Sequence, residues 1–75
     1  MYYIERTDNW GDVVNRSEYP TEQAAFLGWL RTVEVASDRG GNVLCDSDGY
    51  PVDTHLAVSL DAFTDGSDEY RRGEA

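Results

Sequence analysis

Apolar and polar residues alternate from Tyr2 to Thr7, with Tyr2 and Ile4 on one face and Tyr3 and Glu5 on the other. With its aromatic and β-branched content this segment predicts a strand. Asp8-Asn9-Trp10-Gly11-Asp12 is a concentrated turn signal, and Val13-Val14-Asn15-Arg16 reads as a second strand closing a hairpin. Tyr19-Pro20-Thr21-Glu22-Gln23 then opens a helix. Pro20 opposes an earlier start, Thr21 can cap the first amides, and Glu22 suits the positive end of the dipole. Ala25, Phe26, Trp29, Leu30, Val33 and Ala36 fall on an arc of about 140° and form the core-facing stripe. Asp38-Arg39-Gly40-Gly41 ends the helix with a glycine for the left-handed cap. Thr32-Val33-Glu34-Val35 also reads as a strand with Gly40-Gly41 as its turn. The helix is preferred because no breaker separates Leu30 from Val33.

Residues 42–46 read as a third strand, Ser47-Asp48-Gly49-Tyr50-Pro51 as a turn, and residues 52–60 as a fourth strand. In that strand Val52, Thr54, Leu56, Val58 and Leu60 share one face. After Phe63 the chain is polar and glycine-bearing and reads as a mobile tail. The expected fold class is α+β in the order ββαββ. One helix packs on one face of a small antiparallel sheet, in a single domain over 1–63 with a flexible tail over 64–75.

Seventy-five residues with 40% hydrophobic content support one small core and a thin margin of stability. Fifteen Asp and Glu stand against six Arg and no Lys, for a net charge of −9. That balance excludes binding to nucleic-acid phosphates or to an anionic membrane surface, and it points to basic partners or cations. Residues 42–69 hold seven of the acids, Asp46, Asp48, Asp53, Asp61, Asp65, Asp68 and Glu69, with no Arg. These acids, with Trp10, Tyr50 and Tyr3 as aromatic anchors, are the candidate partner-binding residues. Leu27 and Val35 lie off the helix stripe and are candidates for a dimer or partner contact.

Catalytic and metal chemistry find no support. Asp46-Ser47-Asp48-Gly49 opens like a calcium loop, but Tyr50, Pro51 and Ala57 occupy its fifth, sixth and twelfth positions. One Cys and one His do not make a zinc site. Cys45 and His55 lie on strands expected to pair; Cys45 points into the core if Leu44 faces solvent, and His55 then sits on the opposite face. No phosphate loop, serine elbow or dinucleotide fingerprint occurs, so the chain reads as a non-enzyme without cofactor. The N-terminus carries no signal-peptide pattern, no stretch has the length of a membrane span, and a lone cysteine fits a reducing compartment. The expectation is a cytoplasmic protein, in the host cell if a phage encodes it.

In size, acidity and lack of catalytic residues the chain resembles the small acidic inhibitor proteins of phages and mobile elements, including DNA mimics and anti-CRISPR proteins. No sequence motif carries the resemblance, so it transfers no functional residue. It implies an inhibitor that occupies the basic surface of a nucleic-acid-binding protein, with carboxylates standing in for phosphates. The alternative is a small adaptor or housekeeping protein whose acidity reflects halophilic or GC-rich composition.

Overall fold

The computed structural model describes residues 1–38 and 43–75. Six strands form one antiparallel sheet: β1 (Tyr2–Thr7), β2 (Val13–Tyr19), β3 (Leu44–Cys45), β4 (Pro51–Val52), β5 (Ala62–Thr64) and β6 (Glu69–Glu74). The main helix α1 (Glu22–Asp38) follows β2, and a short helix α2 (Thr54–Ser59) follows β4. The sheet order is β2-β1-β6-β5-β3-β4.

The first hairpin and α1 form as the sequence predicts, except that β2 continues three residues past Arg16 and takes in Tyr19, which was expected to open the helix. Thr21 Oγ1 accepts the Ala24 amide at 3.2 Å, the capping bond foreseen for that residue. The helix runs unbroken through Thr32–Val35, so the strand alternative for that stretch does not form. Ala25, Trp29, Val33 and Ala36 are buried, whereas Phe26 is exposed at the stripe's margin. The glycine cap at Gly40-Gly41 and the first residue of the expected 42–46 strand lie outside the described residues.

Two expectations are corrected. Residues 54–59 are helical, not the middle of a strand over 52–60. Asp53 sits in extended backbone and its side chain accepts the Leu56 amide at 2.7 Å, which caps α2 and diverts a run whose alternation also suited a strand. The segment 64–75 is not a tail: β6 lies inside the sheet between β1 and β5. Its ladders on both sides supply what its side chains do not, since Tyr70 alone of its residues is a buried apolar group. The element order is therefore ββαββαββ.

The core lies between the sheet and the two helices. Trp29, Val33 and Ala36 of α1 meet Ile4, Leu44, Phe63 and Tyr70 of the sheet and Ala57 of α2. Trp29 stands edge-on to Phe63 at 5.2 Å, and Phe63 stacks on Tyr70 at 4.9 Å. The Trp29 indole N–H donates to the Val58 carbonyl at 3.1 Å, tying α1 to the end of α2. Leu44 is the buried residue of β3, so Cys45 points the other way, and His55 is exposed on α2. The sheet face opposite the helices carries Glu5, Arg16, Glu18, Glu69 and Arg71. Those charges pair among themselves: Arg16 with Glu5 at 3.1 Å and Glu18 at 3.5 Å, and Arg71 with Glu69 at 3.1 Å. This face is mixed in sign, not acidic.

Candidate functional site

The acids of the second half divide into those that build the fold and those that project from it. Asp65 is buried in the β5–β6 turn, where it accepts the Ser67 amide at 3.0 Å, the Asp68 amide at 2.8 Å and the Tyr70 hydroxyl at 2.9 Å. Burial pushes this carboxyl up, but the amide and hydroxyl donors outweigh it and hold Asp65 below the ordinary carboxylate value. Asp68 holds Arg6 at 2.6 Å. That hydrogen bond raises the Arg6 guanidinium further, against the opposing effect of burial. Glu69 pairs with Arg71 on the open face of the sheet. These three acids expend their charge within the fold.

Asp46, Asp48, Asp53 and Asp61 remain. The Asp46 carboxylate accepts the amides of Asp48 at 2.9 Å and Tyr50 at 3.0 Å, folding the β3–β4 turn and setting Asp48 and Tyr50 at its tip. Gly49 supplies the positive φ of +88° that this turn requires. Tyr50 is 69% exposed. Asp53 caps α2 with one oxygen. Among the described residues no arginine pairs with Asp46, Asp48 or Asp53. The Asp61 side chain is almost fully exposed, 3.5 Å from Arg72 Nε.

Topology decides which of these gather. Cys45 pairs with Thr64 antiparallel, so β3 runs against β5 and its turn projects toward the end of the sheet where β5 begins, next to Asp61. At that same end a cleft of about 280 Å³ is lined by Glu22, Asp61 and Glu74, with Tyr3, Phe26 and Arg72 among its walls. Arg72 is held in place by the Phe26 and Trp29 rings at 5.8 Å and 5.2 Å and by the Val58 carbonyl at 3.4 Å. Glu22, Asp61 and Glu74 thus share this cleft with exposed Phe26, and the β3–β4 turn carrying Asp46, Asp48 and Tyr50 is directed to the same end of the sheet.

Trp10 does not join them. It is 81% exposed, its amide donating to Asp8 Oδ1 at 2.9 Å, on the β1–β2 loop at the opposite end of the sheet. Two strands, β6 and β5, also separate that hairpin from β3, so Trp10 and Tyr50 cannot form one surface. Tyr3 lies beneath the Arg16 guanidinium, 4.3 Å from its ring centre, and its hydroxyl end lies over Gly73. Glu22 and Glu74, which line the cleft with Asp61, are not among the candidate residues read from the sequence. Glu22 was accounted for by the helix dipole, and Glu74 sat in the supposed tail. The weak signal for Glu74 was the alternation of Tyr70 and Arg72 with Glu69 and Arg71, which places β6 beside β1 and sets Glu74 opposite Tyr2.

Among the described residues no three His, Cys, Asp or Glu side chains converge as a metal site, and no helix is long and apolar enough to cross a membrane. No protein-family model, curated protein or solved structure matches the chain.

Proposed function

We propose that this chain is a small acidic inhibitor that occupies the basic surface of a nucleic-acid-binding protein or complex, using the end of the sheet formed by Glu22, Asp46, Asp48, Asp61 and Glu74. One observation carries the reading. Four of the six arginines are bound to acids within the fold, Arg6, Arg16, Arg71 and Arg72, while five acids from four separate places in the chain are directed to one end without an equal number of cations. Such a surface repels nucleic acid and attracts the groove that binds it. Charge would set the rate and register of docking, while Tyr50 and Phe26 supply the apolar contact that slows release.

The test is capture of partners from nuclease-treated lysate, with a salt-gradient wash and identification by mass spectrometry, followed by competition with duplex DNA. Retention of a nucleic-acid-binding protein that DNA displaces supports the reading. The variant Glu22→Lys, Asp48→Lys, Glu74→Lys changes three side chains that make no ion pair within the described residues. It should keep the circular dichroism spectrum and lose the partner. Undiminished capture by this variant removes the acidic end from the mechanism. A chain that folds only in about molar salt instead places its acidity with salt adaptation.

A further inference from the structure

β2 is the outer strand of the sheet and is exposed over nearly its whole length. Its free hydrogen-bonding groups can be identified. The Ala75 amide donates to the Met1 carbonyl, so β1 exchanges its odd-numbered residues with β6 and its even-numbered residues with β2. Tyr2, Ile4 and Arg6 pair with Tyr19, Ser17 and Asn15. It follows that Arg16 and Glu18 turn their amides and carbonyls outward, a template for a further strand. Their side chains share the open face, where Arg16 bridges Glu5 and Glu18.

We infer that β2 pairs antiparallel with β2 of a second copy of this chain, about a two-fold axis through Ser17. The charge pattern selects this register. Centred on Ser17, each Arg16 lies opposite the other copy's Glu18, giving two hydrogen-bonded, oppositely charged cross-strand pairs. Centred on Arg16, guanidinium would face guanidinium. Centred on Asn15, Arg16 would face Val14, beside the irregularity that follows Arg6 in the β1–β2 ladder. On the helix side, the strand borders an open groove of about 320 Å³ between Asn15, Ser17 and Tyr19 of β2 and Gly28, Thr32 and Val35 of α1. Leu27 and Val35, 63% and 59% exposed, flank that groove and its continuation. A two-fold axis perpendicular to the sheet brings both copies' α1 helices to the same side, so these stripes face each other across the joined strands. The strand that forms the interface carries one Arg and one Glu.

Sedimentation equilibrium up to about 1 mM protein tests the inference. The mass should rise from 8.4 kDa toward twice that value. Glu18→Arg, which sets arginines opposite arginines while leaving the Arg16–Glu5 pair, should raise the dimer dissociation constant at least tenfold, and adding Arg16→Glu should restore association. Ser17→Cys in a Cys45→Ala background should cross-link as a disulfide dimer on oxidation, because Cα atoms in a non-hydrogen-bonded pair lie about 4.5 Å apart. Asn15→Cys, displaced from the axis, should not. A mass that stays at 8.4 kDa throughout overturns the inference and leaves the edge to a foreign strand. A dimer indifferent to Glu18→Arg and uncross-linked by Ser17→Cys overturns it equally, by moving the interface elsewhere.

Discussion

Replacing Asp65 by Ala should cost more stability than any other single acid-to-alanine change in the chain. The buried carboxylate accepts two backbone amides and the Tyr70 hydroxyl at 2.8–3.0 Å, and these bonds close the turn that introduces β6. Hydrogen bonds to a charged group contribute about 1.5–3 kcal/mol each, though not additively. With the Tyr70 hydroxyl also stranded, a loss of about 3–4 kcal/mol is expected. A chain of this length has about 4–11 kcal/mol in total, so the loss is a large fraction of it. Urea and thermal melts followed by far-ultraviolet circular dichroism provide the measurement, with a fall in Tm of more than about 10 °C. Asp65→Asn keeps an acceptor oxygen and should lose about half as much. The pH dependence has a definite sign. The folded-state pKa lies below the unfolded value of about 3.9, so the carboxylate's contribution is present above the unfolded value and is lost as pH falls through the folded value. The gap between wild type and Asp65→Ala should therefore narrow as pH falls below the unfolded value of about 3.9. A variant within about 0.5 kcal/mol of wild type at pH 7 would refute the account of this turn.

Ending the chain at Thr64 should abolish the cooperative thermal transition, since β1 and β5 lose the strand between them; a folded truncated form would show that β6 is dispensable. Asp53→Ala removes the cap of α2 and should cost about 1 kcal/mol in a urea melt, whereas Asp48→Ala should cost nothing measurable. Trp10→Phe should leave Tm within about 2 °C and shift the remaining tryptophan fluorescence to the blue, because fully buried Trp29 is then the sole tryptophan. Gly73→Ala places a methyl group 2.6 Å from the Tyr3 hydroxyl, so Tyr3 must swing away from β6, with a loss of about 1 kcal/mol and a changed tyrosine signal in near-ultraviolet circular dichroism.

The first half of the fold was legible because its signals are local and redundant. Alternation, turn residues and a Thr21 cap agree with one another from Tyr2 to Asp38. In the second half the signals conflict or vanish. Residues 52–60 alternate as a strand does, yet Asp53 caps the Leu56 amide at 2.7 Å and Ala57 packs into the core, and the run turns into a helix. In β6, hydrophobic periodicity had almost nothing to report, because the strand is fixed by ladders to β1 and β5 and by Asp65, a carboxylate indistinguishable in sequence from its exposed neighbours. Trp10 and Tyr50 were each rightly exposed, but their separation depends on strand order, which hydropathy does not encode.

The charge of the segment 42–69 was therefore a true count with a misleading location. Asp65, Asp68 and Glu69 belong to that segment and are consumed by a turn, by Arg6 and by Arg71. Glu22 and Glu74 lie outside it, yet line the same cleft as Asp61. What converts a linear excess of acid into a directed field is the assignment of arginines. Each cation spent on the sheet neutralises acids there, and the excess is left where the starts of α1 and β5 meet the end of β6. Under the proposed function the arginines would matter to binding without touching a partner. Packed by Phe26 and Trp29, the Arg72 guanidinium stands beside Asp61 at the wall of the cleft, so that loss of Arg72 would disturb the cleft's shape while making the chain more negative still. Affinity for a basic partner that fell on losing Arg72 would show shape outweighing charge, and affinity that rose would show the reverse.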